Sequence, residues 1–231
     1  MLKLSIIMPV FNEQATIRKV IENVNNAKIE LSKEIVIVDD CSNDGTKDIL
    51  RKINDSSVKI FFHQKNMGKG TAIRTGLKNA TGDILLIQDA DLEYNPAEYK
   101  KLLLPIIEGK TKVVYGSRIE SIRKNIKNMN KVHYLGNQFL TFATNMIYGA
   151  KITDMETGYK VFSREVIEKI KLRARRFDFE PEITAKILKN GYKIYEVPID
   201  FKARKFNEGK KITFIDGIKA FYYLLKYRFV D

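Results

Sequence analysis

The chain has 231 residues, 44% hydrophobic and 30% charged, a globular balance with enough length for one large α/β domain or two small ones. Its 41 Lys and Arg against 28 Asp and Glu leave a formal net charge of +13, which points to anionic partners: nucleic acid, a phospholipid surface or phosphorylated substrates. The single cysteine, Cys41, excludes an intrachain disulfide, and two well-separated histidines argue against a zinc centre.

Strand and helix signals alternate from the start. Residues 4–10 form a short apolar run stopped by Pro9 and Asn12, and 13–27 show helical spacing through Ile17, Val20, Ile21 and Val24. Residues 34–38 read as a β-branched strand ending at Asp39-Asp40, and 46–53 as a helix behind Asp44-Gly45. A strand at 58–62, a helix at 71–79, a strand at 84–87, a helix at 95–107 and a strand at 112–115 follow. Such β-α repetition predicts a mostly parallel sheet flanked by helices in a single α/β domain. The second half is less regular: helices at 134–148 and 181–189, a strand at 193–197 and an aromatic, basic helix at 214–227.

Met1-Leu2-Lys3-Leu4 runs straight into strand pattern, without a secretory leader. Residues 132–150 lack Lys, Arg, Asp and Glu, but Asn137, Gln138, Thr141, Thr144 and Asn145 make them too polar to span a bilayer. A cytoplasmic, non-spanning protein is expected. The last helix either lies on an anionic membrane or packs its apolar stripe on the sheet. Cations cluster at 110–131, opposed only by Glu120, and at 202–211, opposed only by Glu208.

Ligands of such sheets bind beyond the carboxyl ends of the strands, where polar residues stand here. Asp89, Asp91 and Glu93 follow the fourth strand at alternate positions, a costly arrangement unless a cation sits among them or the segment is an acidic turn capping the next helix. Carboxylate oxygens suit Mg²⁺ or Mn²⁺, and these ions keep positions open for substrate phosphates. Residues 66–71 lack P-loop spacing, and no G-x-G-x-x-G follows the first strand, so a nucleotide would be held by strand-end carboxylates and a metal. Asp39 or Asp40 suits a ribose or base, Asp89 and Asp91 suit the ion, and Arg118 and the 202–211 cluster suit phosphates.

Seven segments together resemble the family 2 glycosyltransferases of the GT-A fold, most of all the polyprenyl-phosphate hexose synthases. They are Pro9-Val10-Phe11-Asn12-Glu13, residues 38–46 (VDDCSNDGT), Asn66-Met67-Gly68-Lys69-Gly70, residues 88–93 (QDADLE), Gly116-Ser117-Arg118, residues 153–160 (TDMETGYK) and Phe179-Glu180. The resemblance runs from Leu4 to about Phe214. It implies inverting transfer of a hexose from a GDP-, UDP- or dTDP-linked sugar to a dolichyl or undecaprenyl phosphate. By the same resemblance Pro9, Phe11, Glu13, Asp39, Asp40, Lys69, Asp89 and Ala90 would bind the nucleotide sugar. Asp89, Asp91 and Glu93 would hold Mg²⁺ or Mn²⁺, with Glu93 standing where the family often has Gln. Arg118, Arg204 and Lys210 would hold donor or acceptor phosphates.

Asp91 and Asp154 are the implied catalytic carboxylates, Asp154 by orientation, by electrostatics or by removing a proton, unless it caps the following turn. A phosphate acceptor is already anionic and needs no strong base, unlike a sugar hydroxyl. Residues 1–118 would form the nucleotide-sugar half and 119–231 the acceptor half. Relatives often carry transmembrane helices after this domain. Here the membrane's inner face would be reached peripherally, through 132–150, the last helix and the basic clusters, or through a membrane partner protein. Three rivals compete: a family 2 transferase acting on a glycan hydroxyl, a nucleotidyltransferase, and a basic nucleic-acid-binding protein. The last is disfavoured by acidic strand ends and the absence of a recognition motif, so nucleic acid is not an expected partner.

Overall fold

The computed structural model describes residues 2–124, 131–203 and 214–230. A seven-stranded sheet in the order β3-β2-β1-β4-β6-β5-β7 forms its centre. The strands are β1 (Lys3–Val10), β2 (Ser32–Asp39), β3 (Val58–Phe62), β4 (Ile84–Ile87), β5 (Val113–Ser117), β6 (Lys160–Ser163) and β7 (Tyr195–Pro198). The first four pair in parallel, β1 lying between β2 and β4 with Ile7 opposite both Val36 and Ile87. The order reverses on either side of β1, so a crevice opens beyond the carboxyl ends of β1, β2 and β4.

Alternation along the strands sorts side chains into two cores. Leu4, Ile6 and Met8 of β1 join Ile35 and Ile37 of β2 under α1 (Ile17–Asn26), α2 (Thr46–Arg51) and α4 (Tyr99–Ile107). Ile7 and Val36 face the opposite way, against α3 (Lys69–Asn79) and α8 (Phe179–Lys189). Near-continuous apolar strands are what burial on both faces demands. A smaller core joins α6 (Lys131–Tyr148) to α9 (Phe214–Phe229), where Leu140 meets Ala220 and Leu224 and the Tyr148 hydroxyl donates to Leu224 O at 2.7 Å. The expected mostly parallel, helix-flanked α/β sheet is present.

The structure differs from the sequence expectation in the second half. β6 lies antiparallel between β4 and β5 in a segment where no strand is expected. Its first residue, Lys160, breaks the apolar pattern, yet it is buried, its ammonium donating to Met155 O and Thr157 O over the Tyr115 ring. Two short helices, α5 (Ile119–Lys124) and α7 (Arg164–Glu168), are too brief for periodicity to reveal. The first helix starts at Ile17 instead of residue 13, because a turn through Glu13 and Thr16 precedes it. A single 3₁₀ turn at Pro96–Glu98 opens the helical stretch expected from 95, with Asn95 accepting from Ala97 N at 3.0 Å.

Candidate active site

Where β1 and β2 end, the backbone takes positive φ at two non-glycine residues, Asn12 (54°) and Cys41 (64°). The two loops are laced together: Asn12 N–H donates to Ser42 Oγ at 2.9 Å, and Asn43 N–H donates to Asn12 Oδ1 at 2.9 Å. Strain held by such cross-links is a mark of a shaped site. Asp39 is fully buried at the end of β2; its Oδ2 accepts from Ser42 N–H at 3.1 Å, and its Oδ1 is buried without a hydrogen-bond partner. Asp40 instead anchors the start of α3, accepting from Met67 N–H at 2.9 Å and Gly68 N–H at 2.6 Å, with His63 Nδ1 at 2.7 Å.

A cleft of about 400 Å³ opens here. Pro9, Phe11, Glu13, Asp40, Lys69, Asp89, Ala90, Asp91, Glu93 and Arg118 all line it, so ten of the residues expected from sequence converge on one cavity. Asp39 and Asp154, both fully buried, are not among the residues that line it. Arg204 and Lys210 fall outside the described residues.

The carboxylates after β4 are aimed by a buried polar anchor. Gln88 is fully buried; its Oε1 accepts from the hydroxyls of Tyr99 (2.7 Å) and Tyr159 (2.8 Å), and its amide donates to Asp89 O at 2.9 Å. Asp89 Oδ1 pairs with Lys69 Nζ at 2.9 Å, and Lys69 also reaches Glu180 Oε1 at 3.0 Å. Burial would lower the Lys69 pKa, but Asp89 and Glu180 outweigh it and raise it well above its ordinary value. Asp91 Oδ1 accepts from Glu93 N–H at 3.1 Å. An added Cβ on Gly158 would stand 2.5 Å from Asp89 Oδ2, so a side chain there would displace that carboxylate.

The donor set is all carboxylate, which suits a hard cation such as Mg²⁺ or Mn²⁺. Among the described residues no three acidic, His or Cys side chains come close enough to hold a metal by themselves. Asp89, Asp91 and Glu93 therefore do not form a closed three-carboxylate cage; the chain bends through residues 90–93, so the shared face that alternate positions have in a strand is lost. What fits is an ion held by one or two carboxylates and completed by water and substrate phosphates, the usual habit of Mg²⁺.

A cation lines the same cleft. Arg118 donates to Asp154 through its backbone N–H (2.9 Å), Nε (2.7 Å) and a terminal nitrogen (2.7 Å), and Asn137 supplies a fourth bond to the same carboxylate at 2.8 Å. Burial alone would raise the Asp154 pKa; Arg118 overrides it and holds the carboxyl below its ordinary value. So engaged, Asp154 positions Arg118 and is a poor proton acceptor. Sequence reasoning passed over Glu156 and Glu180, which also line the cleft. Burial first, and Glu180 second, raise the Glu156 carboxyl, whose Oε1 is buried without a hydrogen-bond partner. The signal for both was their place in quoted motifs, not their spacing.

A family model described as Glycosyl transferase family 2 matches residues 5–171. The chain is 32% identical to a UDP-N-acetylglucosamine–dolichyl-phosphate N-acetylglucosaminyltransferase of Methanococcus voltae over 95% of this chain and 94% of that protein. It is 29% identical to a dolichol-phosphate mannosyltransferase of Pyrococcus furiosus, covering 98% of this chain and 64% of the relative. Among solved structures, glucosyl-3-phosphoglycerate synthase from Mycobacterium tuberculosis in complex with UDP superposes with a TM-score of 0.79. That match has 20% identity and covers 100% of this chain and 81% of that one. The same enzyme in complex with Mn²⁺, UDP and phosphoglyceric acid gives a TM-score of 0.76 at 20% identity, over 100% of this chain and 80% of that one. The shared fold is that of GT-A glycosyltransferases.

Proposed function

The chain belongs to glycosyl transferase family 2 and is a glycosyltransferase, and on that premise we propose that it moves a hexose from a nucleotide diphosphate sugar to a polyprenyl phosphate, with inversion. The observation that carries this reading is a cleft of two signs, lined both by strand-end carboxylates and by an arginine oriented by a buried aspartate. The activities named for the two relatives, one on dolichyl phosphate with a UDP sugar, support the same donor and acceptor classes.

In this reading the buried Asp39 Oδ1 is an acceptor for a ribose hydroxyl or base N–H, since a buried carboxylate oxygen without a partner calls for one. Pro9, Phe11, Glu13 and Ala90 wall the nucleotide. Asp40 shapes the cleft by holding the α3 N-terminus. Asp91 and Asp89, with Glu93 near them, would hold Mg²⁺ or Mn²⁺, which supplies positive charge to the donor diphosphate. Lys69, kept protonated by Asp89 and Glu180, adds a cation on the same side. Arg118 presents its guanidinium to a phosphate with its orientation set by Asp154. An acceptor phosphate is anionic already, so no residue has to take a proton. Residues 1–118 would bind the donor and 119–231 the acceptor. Arg204 and Lys210 stay in the proposal as phosphate contacts by resemblance.

Among the described residues no helix is long and apolar enough to cross a membrane. Access to a lipid acceptor is proposed to be peripheral, at the inner face of the membrane. Val132, Leu135, Phe139, Phe142 and Met146 are exposed at helical spacing along α6, Met146 by 71%.

Radiolabelled UDP-, GDP- and dTDP-sugars offered with polyprenyl phosphate test the proposal. Label should enter the organic phase, only with divalent metal and from one nucleotide class. One observation favours a second reading, transfer to a glycan hydroxyl: Glu156, with its raised carboxyl, is a cleft-facing candidate base. Label moving only into water-soluble glycan would replace the first reading with the second.

A further inference from the structure

Beside the cleft lies a second cavity, of about 380 Å³, between the loop of residues 173–178 and α9. Five cations line it, Arg173, Arg175, Arg176, Lys219 and Lys226, against one acid, Asp178. Arg176 and Phe177 line both cavities, so the two adjoin.

The nearby carboxylates leave a cationic excess in this cavity, and their oxygens bond backbone N–H groups and Lys186 instead of these five side chains. Asp178 accepts from the backbone N–H groups of Arg175 (3.1 Å) and Arg176 (2.6 Å). Glu182, fully buried, accepts from the N–H groups of Arg173 (2.8 Å) and Ala174 (2.5 Å) and from Lys186 Nζ (2.8 Å). Among the described residues none of the three guanidiniums and neither lysine makes an ion pair. Among the described residues the cation–π contacts of the set are Lys226 over Tyr223 and Tyr227.

The loop is also rigidly seated. Gly70 N–H donates to Arg176 O at 3.2 Å and Thr71 N–H to Arg175 O at 3.1 Å. A Cβ on Gly68 would collide with Arg175 O, and one on Gly70 would stand 2.9 Å from Ala174 O. The glycines on either side of Lys69 thus serve close approach of the arginine loop to α3. Like charges so gathered repel one another, and holding the backbone that gathers them is an arrangement suited to a counter-anion. Arginine is the side chain that best matches phosphate oxygens, and four of the cations flank one open concavity away from the shared wall.

We propose that this cavity is a second anion site, distinct from the catalytic cleft, which binds a phosphate or diphosphate group. The group comes either from a free phosphate compound or from the headgroup of an anionic lipid. The site stands on its own geometry and does not depend on the transferase reading.

Two arms test it, using the full chain and the double variant Arg175→Ala/Lys219→Ala. Both positions are exposed, so a thermal unfolding scan should match that of the unaltered protein. A Lys28→Ala/Lys100→Ala variant, equally exposed and equal in charge change, is the control. In the first arm, calorimetric titration with inorganic pyrophosphate should weaken about tenfold in the pocket variant, the scale of losing charge-assisted contacts, and hold steady in the control. In the second, sedimentation with phosphatidylcholine vesicles containing phosphatidic acid is compared with phosphatidylcholine alone. Selective loss of pyrophosphate binding alone identifies a free phosphate ligand, and selective loss of phosphatidic acid binding identifies a lipid headgroup. Equal loss in pocket and control variants, or no loss in either arm, overturns the site.

Discussion

Arg118 and Asp154 show at the scale of single residues how this cleft acquires its charge. The pair is bidentate, Asp154 is fully buried and Asn137 completes its shell, so neither partner tolerates the other's removal. Asp154→Ala should cost about 3–5 kcal/mol of stability, the scale of stranding a buried charge. Asp154 also makes stability depend on pH. Its folded pKa is depressed, so its contribution is present above the unfolded value near about 3.9 and is lost as pH falls through the folded one. Acid titration followed by circular dichroism should show Asp154→Asn losing that low-pH slope. Asp91→Asn is the contrasting case. It keeps the acceptor for Glu93 N–H but loses charge, so metal-dependent turnover should fall by about two orders of magnitude, the scale of one removed electrostatic contact. Its melting temperature should barely move. Full activity of this variant in metal-free buffer would defeat the proposed role. Gly158→Ala forces a methyl against Asp89 Oδ2 and the Tyr94 ring, 3.0 Å away. Overpacking of this kind costs about 1–3 kcal/mol, and donor KM should rise along with it.

At the scale of elements, the site depends on how strand ends are aimed and how helices approach them. Gln88 ties β4 to α4 through Tyr99 and to the residue before β6 through Tyr159. Gln88→Leu would remove the acceptor shared by two buried tyrosine hydroxyls, at about 1–3 kcal/mol, and release the chain that carries Asp89. A denaturant titration beside an activity assay should show both losses together. The first five strands were legible from apolar runs closed by polar residues, because strands buried on both faces, as β1, β2, β4 and β5 largely are, must be mostly apolar. β6 was not legible. It is four residues long and begins with a buried lysine whose ammonium is satisfied by backbone carbonyls and an aromatic face, a compensation that only packing supplies. β5 runs on through Gly116, wedged between Tyr159 and Ile199, where glycine in a sequence usually reads as a stop.

For the whole molecule, a net charge of +13 resolves into distinct surfaces. The cleft mixes both signs, the cavity beside α9 gathers five cations against one acid, and α6 exposes an apolar stripe. Under the proposed peripheral attachment, Phe142→Ser with Met146→Ser should reduce sedimentation with anionic vesicles while leaving the melting temperature unchanged, since both side chains are exposed. Unchanged sedimentation would place the contact elsewhere. The amino-acid sequence alone determined the alternating α/β order, the strand-end carboxylates and the family resemblance, because each is written in residues close together along the chain. Tertiary structure alone decided that Asp154 holds Arg118 instead of facing the cleft, that Asp40 serves a helix while Asp39 keeps a buried oxygen without a partner, and that Glu156 and Glu180 join the wall. It also brought residues 173–178 against α9, some 45 positions away, into one cationic cavity. Protonation, pairing and exposure depend on neighbours through space, and local pattern carries no record of those neighbours.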